Sequence, residues 1–139
     1  MAQKVRDVMT SPPVTVSADT TLREVAQTMR DTDIGTVVVT RNGDVLGVVT
    51  DRDMVVRAFA EDGAAGSQRV EDICSSELVT VTPDTDADDA VQLMRRHAVR
   101  RLPVVDGNRP VGVVSIGDLA VDRDRKSALA DISAAPPNT

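Results

Sequence analysis

The chain repeats itself: shifted by 65 positions, residues 5–58 align with residues 70–123 without a gap. Identical pairs run the whole length of the match. They include Val5/Val70, Asp7/Asp72, Thr15/Thr80, Met29/Met94, Gly47/Gly112 and Asp53/Asp118. Substituted pairs keep their chemistry, as in Val8/Ile73, Leu46/Val111 and Thr50/Ser115. Self-similarity of this kind means that one supersecondary unit is used twice. A unit of about sixty residues buries too little surface to be stable alone. The two copies are therefore expected to pack their apolar sheet faces together about a pseudo-twofold axis.

Each copy reads in the same order. Val5 to Met9 suggests a helical turn, stopped by Pro12-Pro13. Val14-Thr15-Val16 is a short strand. Leu22, Val25, Ala26 and Met29 then recur at helical spacing, behind the helix-start residues Asp19 to Thr21. Thr36 to Thr40 and Val45 to Thr50 form a hairpin around Asn42-Gly43. A second helix is expected from Asp51 to about Ala60, with Met54, Val55 and Ala58 apolar. In the second copy the first strand is Val79-Thr80-Val81 and the first helix runs from Asp84 to His97, with Ala87, Ala90, Val91 and Met94 as its apolar stripe. The hairpin joins Leu102–Val105 to Pro110–Ser115, and a last helix starts at Ile116. Pro103 marks its strand as an edge or an irregular one. The expected organisation is a first repeat at 1–60, a linker at 61–69, a second repeat at 70–127 and a flexible tail at 128–139. The fold class is α/β (α+β), two tandem β-α-β-β-α repeats, with 1–127 acting as one module.

Composition excludes several functions. Sixteen basic against twenty-two acidic residues give a net charge of −6, and Phe59 is the one aromatic residue. That argues against nucleic acid as a partner, which calls for a basic face and often for stacking aromatics. No apolar run approaches membrane-spanning length and no secretory leader is evident, so a cytoplasmic protein that needs no membrane is expected. Cys74 stands alone and forms no internal disulfide. His97 is the single histidine, at a helix end where a cation is favourable. Asp84, Asp86, Asp88 and Asp89 crowd a helix start and read as solvated acids, so no metal site is expected. Nothing suggests a catalytic constellation, and the chain is not expected to be an enzyme.

Two stretches hold the functional question. Gly47-Val48-Val49-Thr50-Asp51-Arg52-Asp53 returns as Gly112-Val113-Val114-Ser115-Ile116-Gly117-Asp118. Each is a strand that ends on a hydroxyl and enters a helix three residues before a carboxylate. Such a corner fits two readings. It is a helix capping box, in which hydroxyl and acid bond reciprocally to the backbone. It is also a polar corner able to hold a ribose or a phosphate.

The doubled Gly-x-x-Thr/Ser-x-x-Asp corner, the paired Val-Thr-Val strands and Val99-Arg100-Arg101-Leu102-Pro103-Val104-Val105-Asp106 together resemble a tandem CBS-domain pair, the Bateman module, of a stand-alone bacterial kind. The resemblance covers residues 4–125. It implies adenine nucleotides or adenosyl ligands, with AMP, ADP, ATP or S-adenosylmethionine as candidates, bound in clefts between the repeats; no cofactor is required. It implies that Thr50 with Asp53, and Ser115 with Asp118, face ribose and phosphate. Pro13, Val14, Ile34, Gly35 and Thr36 would line one base pocket, and Leu78, Val79, Val99, Arg100 and Arg101 the other. Arg52 is placed to reach a phosphate. Arg100 and Arg101 would either bind phosphate or fill their own pocket, whereas Gly35 and Thr36 leave the first corner the more open. The implied function is regulatory: an energy-sensing module, an antiparallel disk-like homodimer, signalling through packing or dimer geometry to an unknown protein partner. The alternative is a ligand-free structural or stress-related scaffold, its corners serving only as caps.

Overall fold

A computed structural model describes residues 3–60, 67–74 and 78–123. The expected tail and most of the expected linker lie outside the described residues. In chain order the elements begin with helix α1 (Val5–Val8), strand β1 (Thr15–Ser17), helix α2 (Leu22–Thr32) and strands β2 (Thr36–Arg41) and β3 (Asp44–Thr50). Helix α3 (Asp51–Asp53) runs on as a π-helix, Met54–Phe59. A 3-10 turn at Val70–Asp72 opens the second copy, followed by α4 (Ala87–His97), β4 (Arg101–Asp106), β5 (Arg109–Ser115) and α5 (Ile116–Arg123).

Helix α2 forms because its first turn is closed by a capping box. Thr21 Oγ1 accepts from the Glu24 N–H, and the Glu24 carboxylate accepts from the Thr21 N–H, both at 3.3 Å. Leu22, Val25 and Met29 are buried as the periodicity requires, but Ala26, expected on the same face, is exposed. Its counterpart Val91 on α4 is half-buried, because four-residue spacing from Leu22 only brings position 26 to the margin of the apolar stripe.

In the first copy β2 is central, parallel to β1 and antiparallel to β3. The hairpin turns through Asn42 and Gly43, at φ 56° and 86°. Two consecutive left-handed residues match the strands' own twist, which is why Asn-Gly serves here. The second copy repeats the hairpin, β4 against β5, and slips register at the corresponding place, Val104/Val105 against Val39/Thr40. It does not repeat the first strand. Val79 to Val81, expected as a strand, contributes only a parallel bridge between Val81 and Val104. The cause is a pair of prolines, since the Ala18 N–H that donates to Thr40 O at 2.8 Å in the first copy has Pro83 as its counterpart. In the first copy the Val38 N–H donates to Val14 O at 2.9 Å. Its counterpart is Pro103, which has no N–H to give.

The described core lies in two clusters. One joins Leu22, Val25, Met29, Val37, Val39, Val49 and Ala58 to Val70 and Ile73. The other joins Val81, Ala90, Met94, Leu102, Val104, Val114 and Leu119 to Val5. The segment ahead of each first strand thus packs with the other copy. The hydrogen bonds are reciprocal. Val5 N–H donates to Thr85 O (2.8 Å) and Arg6 N–H to Pro83 O (3.1 Å), while Val70 N–H donates to Thr20 O (2.8 Å) and Glu71 N–H to Ala18 O (3.1 Å). Thr10 and Val113 then exchange both backbone bonds, at 2.8 and 3.0 Å. Accordingly the chain divides into two compact units, residues up to Pro13 with those from Val79 onward, and Val14–Leu78. Repeats cut at 1–60 and 70–127 mark the two copies of the sequence, whereas the compact units are cut after the exchanged segments. Lys4 and Arg6 also pair with Asp86 and Asp84, which accounts for two of the crowded acids ahead of α4. These pairs are exposed and add little stability.

Candidate functional site

Both corners are complete capping boxes. In the first, Asp53 N–H donates to Thr50 Oγ1 at 3.1 Å, and Asp53 Oδ2 accepts from the Thr50 N–H at 2.9 Å and from the Thr50 hydroxyl at 3.0 Å. In the second, Asp118 N–H donates to Ser115 Oγ at 3.1 Å, and Asp118 Oδ2 accepts from the Ser115 N–H at 2.9 Å. All four side chains are half-buried. They owe their place to the β-to-helix turn, since a strand ending on Ser or Thr offers its oxygen to the first free N–H groups of the next helix. Asp53 carries a further partner, Arg57 one turn on, with Nε 3.7 Å from Oδ1.

The strand start opposite each corner is fixed by one backbone bond made twice. Asp51 N–H donates to Gly35 O at 2.9 Å, and Ile116 N–H to Arg100 O at 2.8 Å. Across the hairpins Thr36 faces Thr50 and Arg101 faces Ser115. The structure therefore gathers Gly35, Thr36, Thr50 and Asp53 around one corner, and Arg100, Arg101, Ser115 and Asp118 around the other. Ile34 and Val99 directly precede them, both half-buried against the cores. Val14 and Val79 are likewise packed against the cores of their own copies. Arg52, Arg100 and Leu78 are exposed, and Arg101 is half-buried. The division into compact units falls between Pro13 and Val14 and between Leu78 and Val79.

One atom at the first corner is left unsatisfied. Thr36 Oγ1 is buried and has no hydrogen-bond partner. A buried hydroxyl without a partner costs about 1–3 kcal/mol.

The glycines qualify the expected openness of the first corner. A Cβ on Gly35 would lie 2.9 Å from Asp51 Oδ2 and 3.3 Å from its Cγ. The Asp51 carboxylate therefore folds back over Gly35, held there as its Oδ1 accepts the Arg52 N–H at 2.8 Å. Sequence reasoning passed over Asp51, because a variable position between hydroxyl and acid carries no periodic signal. Gly112 has a packing reason: a Cβ there would lie 2.8 Å from both Met9 Sδ and Thr10 O.

The sequence matches the CBS-domain family model over residues 5–58 and again over 70–121. The chain belongs to the CBS-domain family. As a tandem CBS pair it is 41% identical over 133 residues to the CBS domain-containing protein YhcV of Bacillus subtilis, covering 93% of this chain and 94% of that one. The crystal structure of the CBS-domain containing protein ATU1752 from Agrobacterium tumefaciens is 31% identical with a TM-score of 0.77, over 87% of this chain and 99% of that chain. The CBS domain pair of protein MJ0100, solved in complex with 5′-methylthioadenosine and S-adenosyl-L-methionine, has a TM-score of 0.81 at 23% identity over 91% and 100% of the two chains, a likeness of fold.

Other chemistry is weakly represented in this CBS pair. Among the described residues no group of three or more His, Cys, Asp or Glu is arranged to hold a metal ion. Burial raises the thiol pKa of Cys74, with Arg41 opposing, so the group is held further from the reactive thiolate. No described helix is long and apolar enough to cross a membrane.

Proposed function

We propose that this CBS pair is a regulatory module that binds an adenine nucleotide or another adenosyl compound at the Thr50–Asp53 and Ser115–Asp118 corners. The observation that carries this reading is Thr36 Oγ1, buried and unpartnered on the strand facing Thr50. A cap needs only the hydroxyl and the acid; it has no use for a third, unsatisfied hydroxyl beside them. The oxygen is shielded from solvent, so a ligand hydroxyl or ring nitrogen reaches it only as the corner opens, and the bond then removes its desolvation cost. The carboxylate of each corner retains lone pairs for a ribose diol, those on Asp53 Oδ1 being shared with Arg57. That the MJ0100 pair holds adenosyl compounds on the same fold supports the ligand class. Residues 1–127 act as one module, and binding alters its packing or its homodimer geometry in a way that a partner protein reads, in the cytoplasm. The protein's role is regulatory rather than catalytic.

A second reading has its own support. Both capping boxes are geometrically complete without a ligand, as a ligand-free scaffold, stress-related or otherwise, requires. Isothermal titration with AMP, ADP, ATP and S-adenosylmethionine decides between the two. Saturable heat for at least one compound, weakened tenfold or more by Asp53→Asn together with Asp118→Asn, is expected. An absence of heat and of thermal shift across the panel at millimolar concentration leaves only the scaffold.

A further inference from the structure

The two corners have the same backbone and different electrostatics. Equivalent bonds, Asp51 N–H to Gly35 O and Ile116 N–H to Arg100 O, make positions 51 and 116 counterparts, and 35 and 100 counterparts. At the first corner the pair is a glycine and an acid whose carboxylate lies across that glycine. At the second it is an arginine and an isoleucine that is 52% exposed. The exchange is concerted, since a side chain at position 35 would displace the Asp51 carboxylate. The neighbouring strand position carries Thr36 in one copy and Arg101 in the other, facing Thr50 and Ser115. Counting Arg52 and Gly117, the four variable positions hold one acid and one base at the first corner, where Arg57 is already paired with Asp53, and two bases with no acid at the second. Arg52 is exposed, and its backbone rather than its guanidinium holds Asp51.

We infer that the corners select different ligands: the first takes an adenosyl compound without phosphate, and the second takes a 5′-phosphorylated nucleotide. The inference rests on the reading that the corners bind adenosyl ligands at all. A ribose whose hydroxyls meet Asp53 carries its 5′ substituent within one sugar's breadth of Asp51. A phosphate placed there meets a carboxylate at close range, and like charges at such distances repel by a few kcal/mol at a protein surface. A neutral or positively charged 5′ group meets no such penalty, and a cationic one is attracted. At the second corner the same substituent meets Arg100 and Arg101, whose guanidinium groups pair well with phosphate. Asp51 and Gly35 are thus specificity-determining residues of the first corner, and Arg100 and Arg101 of the second.

The test uses the purified full chain, with adenosine and AMP as probes. Amide hydrogen exchange assigns each probe to a corner, through protection of residues 47–53 or 112–118, and titration gives its affinity there. AMP is expected to protect 112–118 at concentrations that leave 47–53 exchanging freely, and adenosine to protect 47–53. Asp51→Asn is expected to strengthen AMP at the first corner about tenfold while moving adenosine less than twofold; Arg101→Thr weakens AMP at the second by a similar factor. Equal protection of both corners by AMP, or an Asp51→Asn protein with unchanged AMP affinity, overturns the inference while adenosyl binding stands. If neither probe binds, the division of ligands is overturned, and the functional reading itself is decided by the wider titration panel.

Discussion

At the scale of single residues, the two copies share one left-handed helix end and fill it with different side chains. Each first helix ends on a residue in the left-handed conformation, Asp33 at φ 56° after α2 and Ala98 at φ 54° after α4. Aspartate tolerates that region because its short polar side chain bonds locally; alanine has only the clash of its Cβ. Glycine removes the clash at the cost of some chain entropy in the unfolded state. Ala98→Gly is therefore expected to stabilise the protein by about 0.5–1 kcal/mol, and Asp33→Gly by less. Urea denaturation measures both, and an Ala98→Gly protein less stable than its parent refutes the account. The corner residues Thr50, Asp53, Ser115 and Asp118 were legible in the sequence because hydroxyl and acid stand in register twice. Asp51 was not, because its role depends on the empty space over Gly35, which lies across the hairpin and only comes into view in three dimensions.

At the scale of elements, periodicity located the helices and the hairpins, and backbone chemistry explains the departures. The segment after Thr50 was legible as a helix but not as one that widens into a π-helix at Met54–Phe59. The wider turn changes the angular spacing of the residues after Asp53, and Ala58 is buried. Val55 is 59% exposed in consequence, although α-helical spacing places it inward. The lost strand of the second copy traces to Pro83 and, on the β4 side, to Pro103. The presence of Pro103 was plain in the sequence, but its effect depends on which neighbour β4 would otherwise bond. Pro103→Val restores the donor that Val38 uses in the first copy and should extend the Val81 bridge to a pairing of Thr80 and Val81 with β4, while Pro83 still withholds the bond that Ala18 makes in the first copy. The expected gain is about 0.5–1.5 kcal/mol, the net contribution of one backbone hydrogen bond. Hydrogen exchange supplies the direct readout. A new slowly exchanging amide at position 103 confirms the pairing, and an amide at 103 that exchanges as fast as a loop refutes it.

At the scale of the whole chain, the repeat was legible in full and the exchange of its leading segments was not. A gapless match states that Val5 and Val70 are counterparts; it does not say which copy each one serves. Both are wholly buried, Val5 among Val81, Met94, Leu102 and Val114, and Val70 among Leu22, Val25, Val37 and Val49. The physical reason lies in the reciprocal bonds to Thr85 and Thr20, which hold each segment beside the turn that precedes the other copy's first helix. Truncating either valine removes two methyl groups from a packed core and leaves a cavity, a loss of about 2 kcal/mol. The loss should fall on the copy that the segment serves rather than on the copy it begins. Val5→Ala is expected to speed amide exchange in β4 and β5 more than in β2 and β3. Val70→Ala reverses the pattern, although Val70 opens the second repeat in sequence. Each variant serves as the other's control, because both make the same chemical change at equivalent positions. If Val5→Ala instead loosened β2 and β3 first, the segments would belong to their own repeats and the exchange would be wrong.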